Sequence, residues 1–432
     1  MRFSDAVAAL DARTNYERTG RLVAPTLDRM RALVDLLAHP ERGYPAIHVT
    51  GTNGKTTVAR AAAEVLRALD LGVATYTSPH VSSIRERFLF DAQPIPEDDF
   101  TDAWRELAPY LQHFDRQGSA ITWFEAATAL AFIWFADKAV DAAVIEVGMG
   151  GTWDATNVID ADVAVITEVG VDHPVLGDTP EEIAREKAGV IKPGAVVVSA
   201  RQSPGVLAVL RARCDEVGAD LRVEGEAFEL ERASLALGGQ QVAIRLGDDR
   251  YGELFVPLFG EHMARDVVLG AAAARALTGD VALAADVLGQ GLASIATPGR
   301  MEVAHHQPLV TLDGAHNPSS AAALAEAMAA SFQWDRLRLV VSIMDDKDLA
   351  GTLSPLVALA DEVIVCRNHS PRAGSLDRVA GAVRALGKEP QIVASVADAV
   401  SVAIERSEDA DAVLVAGSLY TVGEARAKLV AS

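Results

Sequence analysis

Short apolar runs alternate with segments of helical periodicity along the first half of the chain. The apolar runs predict buried strands at 47–50, 72–76, 143–147, 164–167 and 195–199. The segments between them space their apolar residues as helices do, and they predict helices at 1–40, 56–69, 97–113 and 123–136. Strands that alternate with helices form parallel sheets with helices on both faces. We therefore expect a doubly wound, mostly parallel sheet.

The pattern changes and then restarts in the second half. Residues from about 220 to 257 contain short apolar runs around Gly238-Gly239 and Asp248-Asp249, which predict hairpins. Helices are expected again at 261–277 and 281–293, and Thr297-Pro298-Gly299-Arg300 marks a predicted boundary between domains 1–297 and 298–432. Beyond it the alternation predicts strands at 309–313, 337–343, 362–366, 390–394 and 412–416, and helices at 318–331, 349–359, 376–386, 397–406 and 421–430.

A strand, a glycine loop and a helix follow one another over residues 47–57. Backbone N–H groups in such a loop, together with the positive end of the helix dipole, bind phosphate. Lys55 can reach the outer phosphates, and the hydroxyl of Thr56 can help to hold Mg²⁺. The alternative is a tight strand-to-helix turn with a chance Gly-Lys pair, since the spacing is the short form G-T-N-G-K-T. The predicted nucleotide-binding residues are Gly51, Thr52, Asn53, Gly54, Lys55, Thr56 and Thr57.

These elements predict an α/β fold class. The N-terminal domain is expected to be a P-loop doubly wound, mostly parallel sheet with a small β-rich subdomain at about 220–257. The C-terminal domain is expected to be a smaller, Rossmann-like α/β domain. Polar motifs fall at the carboxyl ends of the predicted strands, where such sheets bind their ligands.

Charge, cysteine content and the absence of long apolar segments indicate which partners and which compartment to expect. The chain has 432 residues, a formal charge of −21 and a pI near 4.9, which argues against nucleic acid and anionic membranes as partners. Cys214 and Cys366 lie far apart, which suits a reducing compartment. The start lacks a signal-peptide pattern. The most apolar predicted helix has about 11 residues and is too short to span a bilayer. We expect a cytoplasmic protein.

Polar residues at two strand ends suggest a metal site. Glu146 closes a strand of Ala, Val and Ile, and His173 follows Asp172 at the end of the next strand. A buried carboxylate is costly unless it binds a cation or a donor. Together with the hydroxyls of Thr56 and Ser78, these groups could form an oxygen-rich Mg²⁺ site. The alternatives are a capping or ion-paired role for Glu146 and a structural role for His173.

Two further candidates are ambiguous from their spacing. Lys187, within Glu186-Lys187-Ala188-Gly189, reads as a surface lysine. Asp313 and His316 end the first predicted strand of the second domain and would face a cleft between the domains. The alternative, a helix cap by Asn317 before Pro318, is compatible with a functional role of this turn.

The motifs together resemble the folylpolyglutamate synthase/dihydrofolate synthase family of the Mur ligase superfamily. The residues that carry the resemblance extend over nearly the whole chain, in the family's order and spacing. They are Gly51-Thr52-Asn53-Gly54-Lys55, Thr77-Ser78-Pro79-His80, Arg85-Glu86-Arg87, Phe124-Glu125, Glu146 to Gly151, Asp154-Ala155-Thr156-Asn157, Asp172-His173, Leu176-Gly177, Glu186-Lys187-Ala188-Gly189, Gly299-Arg300, Asp313 to Asn317 and Gly417-Ser418-Leu419-Tyr420.

The resemblance implies a monomeric, ATP-dependent amide ligase. ATP phosphorylates a carboxylate of a folate or dihydropteroate, and the amine of L-glutamate attacks the acyl phosphate. The resemblance assigns Lys55, Lys187 and His316 to catalysis. It makes Ser78, Glu146 and His173 ligands of Mg²⁺, with Thr56 beside them, and it implies a second Mg²⁺ on a carbamylated Lys187. It places Asp266, Arg300 and Asp313 at the nucleotide, and Thr122, Phe124, His316 and Ser418 at the substrates.

The chain departs from the family pattern at four places. The loop continues Lys55-Thr56-Thr57 where the family has Lys-Gly-Ser, and Thr152 replaces an arginine. Glu261-His262-Met263 stands where Gly is usually followed by His-Gln, and Asp266 replaces an asparagine that contacts adenine. An ionised Asp accepts hydrogen bonds but donates none. Two other functions stay open: a Mur-type ligase acting on a UDP-linked muramoyl substrate, and a nucleotide-binding protein without ligase chemistry.

Overall fold

An eight-stranded sheet forms the centre of the N-terminal part of the protein. The computed structural model describes residues 1–20, 25–172 and 174–430. The sheet order is β4-β3-β2-β5-β1-β6-β7-β8. Strand β3 pairs antiparallel with both β2 and β4, and all other neighbouring strands pair in parallel. The strands are β1 (Ala46–Thr50), β2 (Val73–Tyr76), β3 (Phe88–Phe90), β4 (Gln93–Pro94), β5 (Ala142–Glu146), β6 (Val163–Ile166), β7 (Val196–Ser199) and β8 (Asp220–Val223).

Helices cover both faces of this sheet and bury its apolar strands. One core packs α4, α9 and α10 against the sheet, a second packs α1, α3, α5 and α6, and a third packs α7 and α8 against β6 and β7. Helices α4 and α9 approach closely because Gly270 lacks a side chain; a β-carbon there would lie 2.7 Å from the Val58 carbonyl oxygen. The helices are α1 (Phe3–Asp11), α2 (Tyr16–Thr19), α3 (Asp28–Leu36), α4 (Lys55–Arg67), α5 (Glu97–Arg116), α6 (Trp123–Asp137), α7 (Pro180–Lys187), α8 (Pro204–Val217), α9 (Glu261–Leu277) and α10 (Ala285–Ala293).

The predicted β-rich segment begins later than expected. Residues 220–223 form β8, which pairs in parallel with β7 and completes the main sheet. The separate antiparallel sheet consists of β9 (Phe228–Ala236), β10 (Gly239–Leu246) and β11 (Asp249–Val256). Its apolar face, including Val242, Ile244 and Leu254, joins the core of α4 and α9. The segment from 220 was wrongly assigned because a four-residue edge strand and a hairpin strand have the same short apolar pattern.

The C-terminal part contains a six-stranded sheet of order β12-β13-β17-β14-β15-β16. All its strands are parallel except β12, which forms a hairpin with β13 that the sequence pattern did not reveal. The strands are β12 (Glu302–His306), β13 (Leu309–Leu312), β14 (Leu337–Val341), β15 (Glu362–Arg367), β16 (Gln391–Ser395) and β17 (Ala412–Ala416). The helices are α11 (Pro318–Ser331), α12 (Leu349–Leu359), α13 (Leu376–Ala385), α14 (Val396–Glu405) and α15 (Leu419–Val430).

The predicted α/β fold class is confirmed, with a doubly wound N-terminal sheet and a separate C-terminal α/β sheet. The division into domains at residue 297 stays a proposal. Within the residues described, no helix is both long enough and apolar enough to cross a membrane.

Candidate active site

A deep cleft lies between the carboxyl edge of the main sheet and the start of α11. The predicted residues that line it are Thr52, Asn53, Gly54, Lys55, Thr56, Thr57, Ser78, Thr122, Phe124, Glu146, Asp266, Arg300, Asp313, His316 and Ser418. Gly51, at the start of the phosphate loop, and Lys187, whose amine donates to the Gly51 carbonyl oxygen, are buried. His173 lies outside the described residues, so its predicted role as a metal ligand stays a prediction.

The phosphate loop leaves the central strand β1 and is anchored to the end of β6. Gly51 has a φ of +146° and packs so closely on Thr167 that a β-carbon would lie 1.8 Å from Thr167 Oγ1. The same hydroxyl donates to the Asn53 carbonyl oxygen at 2.5 Å. A side chain at position 51 would therefore push the loop away from β6, which explains why glycine occupies it.

Two lysines converge on the backbone of this loop. Lys55 Nζ donates to the carbonyl oxygens of Gly51 (3.2 Å) and Thr52 (3.0 Å). Lys187 Nζ donates to the same Gly51 oxygen at 2.6 Å. Burial lowers the pKa of both amines, and for Lys187 burial and the neighbouring charge of Lys55 bring the pKa to about 7. Both amines are therefore held against the inner side of the loop, on the carbonyl oxygens of Gly51 and Thr52.

The surface position suggested by the spacing of Lys187 was wrong. Only 4% of the residue is exposed, because the glycine loop after β5 packs onto its backbone. A β-carbon at Gly151 would lie 2.7 Å from the carbonyl oxygens of Glu186 and Lys187. Asn157 Nδ2 joins the two segments by donating to the carbonyl oxygens of Thr152 and Gly189, both at 3.1 Å. The sequence pattern did not predict this burial, because a glycine such as Gly151 adds nothing to the periodicity of apolar residues.

The turn that carries Lys187 is also defined by the start of its helix. Thr179 and Glu182 form a capping box at the beginning of α7: Thr179 Oγ1 accepts from the Glu182 N–H, and Glu182 Oε2 accepts from the Thr179 N–H. The Thr152 hydroxyl, which replaces the family's arginine, donates to the Glu186 carbonyl oxygen at 3.0 Å. Both ends of α7 are therefore fixed, and Lys187 is its last residue.

Glu146 is the buried acid predicted for the metal site. The residue is 1% exposed, and its carboxylate accepts from Thr56 Oγ1 (3.0 Å) and from the Ser78 N–H (3.1 Å). Burial raises its pKa, and no Lys or Arg of the described residues forms an ion pair with it. A buried carboxylate without a cation, beside two hydroxyl-bearing residues, fits Mg²⁺, which prefers oxygen ligands and keeps several waters. Among the described residues there is no cluster of three or more His, Cys, Asp or Glu side chains that could hold a metal ion.

The C-terminal domain contributes the other wall through the turn before α11. Asp313 accepts from the N–H groups of Met301 (2.8 Å) and Ala315 (2.7 Å), which fixes this turn rather than leaving the carboxylate free. Burial lowers the pKa of His316 to about 4, so the ring is neutral, and its Nδ1 lies 2.9 Å from the Gly314 carbonyl oxygen. Asn317 caps α11, since its Oδ1 accepts from the Ser320 N–H at 2.8 Å.

Two side chains of the C-terminal domain that the motifs did not reveal also line the cleft. Lys347 Nζ forms an ion pair of 2.8 Å with Asp172, which the sequence had placed at the metal site. Arg372 contacts the carbonyl oxygen of Glu17 at 3.0 Å and the carboxylate of Asp346 at 2.6 Å. The sequence feature that could have indicated Lys347 is a lone lysine within Asp345-Asp346-Lys347-Asp348, shortly after the buried strand β14.

The side chains predicted to bind the substrates have different partners in the structure. Phe124 lies over Gly148, where a β-carbon would meet its ring at 2.4 Å. Thr122 caps α6, and Glu125 of the same turn forms an ion pair of 2.9 Å with Arg29 inside the cleft. The Ser418 hydroxyl is held by Asn368 Nδ2 (3.2 Å) and Thr421 Oγ1 (2.8 Å), so its direct contact with a substrate stays a prediction.

Two domain families match the chain. The Mur ligase middle domain matches residues 49–274, and the Mur ligase glutamate ligase domain matches residues 299–419. The dihydrofolate synthase/folylpolyglutamate synthase of Mycobacterium tuberculosis is 39% identical over 94% of this chain and 90% of its own length. The Bacillus subtilis enzyme of the same name is 32% identical over 95% and 97%.

Solved structures agree with this assignment along the whole chain. The crystal structure of the M. tuberculosis folylpolyglutamate synthase with ADP and AMPPCP has a TM-score of 0.92 and 38% identity, and the match covers 99% of this chain and 98% of that one. An FPGS–AMPPCP–folate complex has a TM-score of 0.86 and 31% identity, with full coverage of both chains. The chain belongs to the folylpolyglutamate synthase/dihydrofolate synthase family of the Mur ligases.

Proposed function

We propose that this protein is an ATP-dependent ligase that joins L-glutamate to a folate through an acyl phosphate. The observation that carries the proposal is the arrangement around the cleft. The phosphate loop and Glu146 lie on one wall, and the turn with His316 lies on the other. Family membership supports the same reaction, since relatives are named as folylpolyglutamate and dihydrofolate synthases.

The reaction needs both walls. A carboxylate oxygen of the folate or dihydropteroate attacks the γ-phosphorus of ATP, and the bond to the bridging oxygen of ADP breaks. The amine of L-glutamate then attacks the acyl carbon, loses a proton and expels inorganic phosphate. A carboxylate becomes a good electrophile only after this phosphorylation, and the transferred group must be positioned and its charge stabilised. We expect the loop N–H groups to hold the outer phosphates, together with Lys55 once its amine leaves the carbonyl oxygens of Gly51 and Thr52.

Residues on the sheet side would hold the metal. Bound Mg²⁺ offsets phosphate charge during the transfer. Glu146, Thr56 and Ser78 are the described residues that fit its first site, and His173 completes the set that the family resemblance implies. For a second ion, we propose that the Lys187 amine is carbamylated. A buried amine whose pKa lies at about 7 is neutral in a large fraction of molecules, and only a neutral amine can react with CO₂.

Residues of the C-terminal wall would receive L-glutamate. Lys347 and Arg372 supply positive charge, which suits a substrate with two carboxylates. The neutral ring of His316 has its Nε2 3.9 Å from Asp172, the partner of Lys347. We propose His316 Nε2 as the proton acceptor on this wall of the cleft.

The test measures phosphate release with ATP, Mg²⁺ and L-glutamate, with dihydropteroate in one reaction and tetrahydrofolate in another. Release in both indicates a bifunctional enzyme, and release in one identifies the substrate form. The Glu146→Gln variant serves as the control for contaminating ATPase. If ATP binds but neither folate supports phosphate release, the proposal is wrong, and UDP-muramoyl substrates and then a purely nucleotide-binding role would be tested.

A further inference from the structure

An unpaired carboxylate lies against the phosphate loop. Asp266, in the second turn of α9, approaches the loop so closely that a β-carbon on Gly54 would lie 2.4 Å from Asp266 Oδ2 and 2.5 Å from Oδ1. Gly54 has a φ of +82° and precedes the first residue of α4. The carboxylate therefore faces the loop at the positive end of the helix dipole, where a phosphate is expected.

The charged groups around Asp266 do not neutralise it. In the described part of the chain, no hydrogen bond or ion pair reaches its carboxylate. Arg265, the adjacent residue on α9, instead forms a two-point ion pair with Glu224 after β8, at 2.8 and 3.0 Å. The other neighbouring charges are Glu168 after β6 and Arg300 after α10, while the Lys55 amine at the start of α4 turns toward Gly51 and Thr52.

This environment favours the protonated carboxyl. Burial, and then the negative charge of Glu224, raise the pKa of Asp266 to about 7. An ionised carboxylate at this distance from the loop would repel the phosphates that the loop binds. A protonated carboxyl carries no charge and has an O–H that can donate a hydrogen bond, as an amide N–H would.

We propose that Asp266 makes nucleotide binding dependent on pH, because its carboxyl must be protonated for the nucleotide to bind tightly. The inference rests on the proposed ATP-dependent function but concerns only the nucleotide. At any pH at which Asp266 is ionised in the free protein, nucleotide binding is then accompanied by the uptake of a proton. Affinity is expected to be highest below the pKa of the free carboxyl and to fall as the pH rises through it.

The experiment measures the Kd for ADP by calorimetry from pH 6 to pH 8, first with EDTA and then with Mg²⁺. The pKa of the free carboxyl lies at about 7. Its protonated fraction therefore falls about tenfold from pH 6 to pH 8, and the wild-type Kd should rise about five- to tenfold more over this range than that of Asp266→Asn. Buffers of different ionisation enthalpy should show that the wild type takes up more protons than the variant. Subtracting the variant removes the titration of ADP itself.

Glu261→Gln is the matched control, since Glu261 is an exposed acid on the first turn of the same helix. It should keep the wild-type pH dependence. Equal pH slopes for wild type and Asp266→Asn would overturn the inference. So would weaker binding of Asp266→Asn only with Mg²⁺, because the carboxylate would then be serving the metal. Failure of every variant and of the wild type to bind ADP would instead contradict the proposed function.

Discussion

Asn53 in the phosphate loop and Asn317 at the start of α11 are joined across the cleft, where Asn317 Nδ2 donates to Asn53 Oδ1 at 2.9 Å. Asn53 Nδ2 in turn donates to Ser319 Oγ at 2.9 Å. Asn317 thus caps its own helix and holds the loop of the other wall. The helix cap is therefore compatible with a position of this turn in the cleft, as the sequence analysis expected.

This relationship predicts energetic coupling between Asn53 and Asn317. In a double-mutant cycle of Asn53→Ala and Asn317→Ala, kcat/KM for ATP should show a coupling energy of about 0.5–1.5 kcal/mol. Only Asn317→Ala should also lower the free energy of unfolding, by about 1 kcal/mol, because it removes the helix cap. Additive effects on kcat/KM would mean that the contact does not matter for activity.

Glu146→Gln should lower turnover by roughly 10²-fold or more, because a neutral amide cannot replace the carboxylate in holding Mg²⁺ during phosphoryl transfer. The shape of the side chain is kept, so the thermal transition should stay near that of the wild type. Phosphate release is measured across a Mg²⁺ titration, with the exposed Glu326→Gln on α11 as control. Near-normal activity of Glu146→Gln would disprove the metal assignment.

Lys187→Ala should lose activity and regain part of it when short carboxylates such as formate or propionate are added. The small acids would enter the space left by the side chain and supply the anionic oxygens of a carbamate. Wild-type activity should also fall in buffers depleted of CO₂. Lys138→Ala, at a partly exposed site at the end of α6, serves as the control and should respond to neither treatment. Activity that is independent of CO₂ would argue against the carbamate.

The free energy of unfolding should fall in acid because of His48. This residue on β1 is completely buried, and burial lowers its pKa to about 3. The unfolded chain binds a proton near pH 6.5 that the folded chain excludes, so stability decreases as the pH falls below that value. The contribution of this one group is about 2 kcal/mol between pH 8 and pH 5.

The measurement for His48 compares urea unfolding of wild type and His48→Gln at these two pH values. Glutamine cannot be protonated, and its amide can still donate to Thr156 Oγ1, which lies 2.8 Å from His48 Nε2. The difference between pH 8 and pH 5 should therefore shrink in this variant. The exposed His113→Gln on α5 should leave it unchanged. An equal pH effect in His48→Gln would assign the acid sensitivity to other groups.

The sequence predicted the elements well because each is stabilised by a local pattern. Buried strands such as β5 and β6 are continuous apolar runs, and Glu146 stood out because a carboxylate ends such a run. Helix starts such as Thr179-Pro180 carry their caps in the sequence. Hairpin β12–β13 was missed because its first strand contains Glu302, His305 and His306 and has no apolar run.

The contacts within the site could not be read in the same way. The partners Asp172 and Lys347 are 175 residues apart, and no local pattern connects them. The burial of Lys187 depends on backbone packing against Gly151, which only the tertiary structure creates. The sequence shows that Asp266 stands where the family has an asparagine. Only the tertiary structure shows that its carboxylate lies against Gly54 of the phosphate loop.

Strand β1, which leads into the phosphate loop, lies between β5 on one side and β6 to β8 on the other. Strand β5 on one side delivers Glu146, and β6 to β8 on the other side deliver Glu168 and Glu224 near Asp266. Arg300 interacts electrostatically with both Glu146 and Asp266, so the two sides of β1 share one cation. Substitutions on the β5 side are expected to change the rate of phosphoryl transfer, and those near Asp266 to change the pH at which the nucleotide binds.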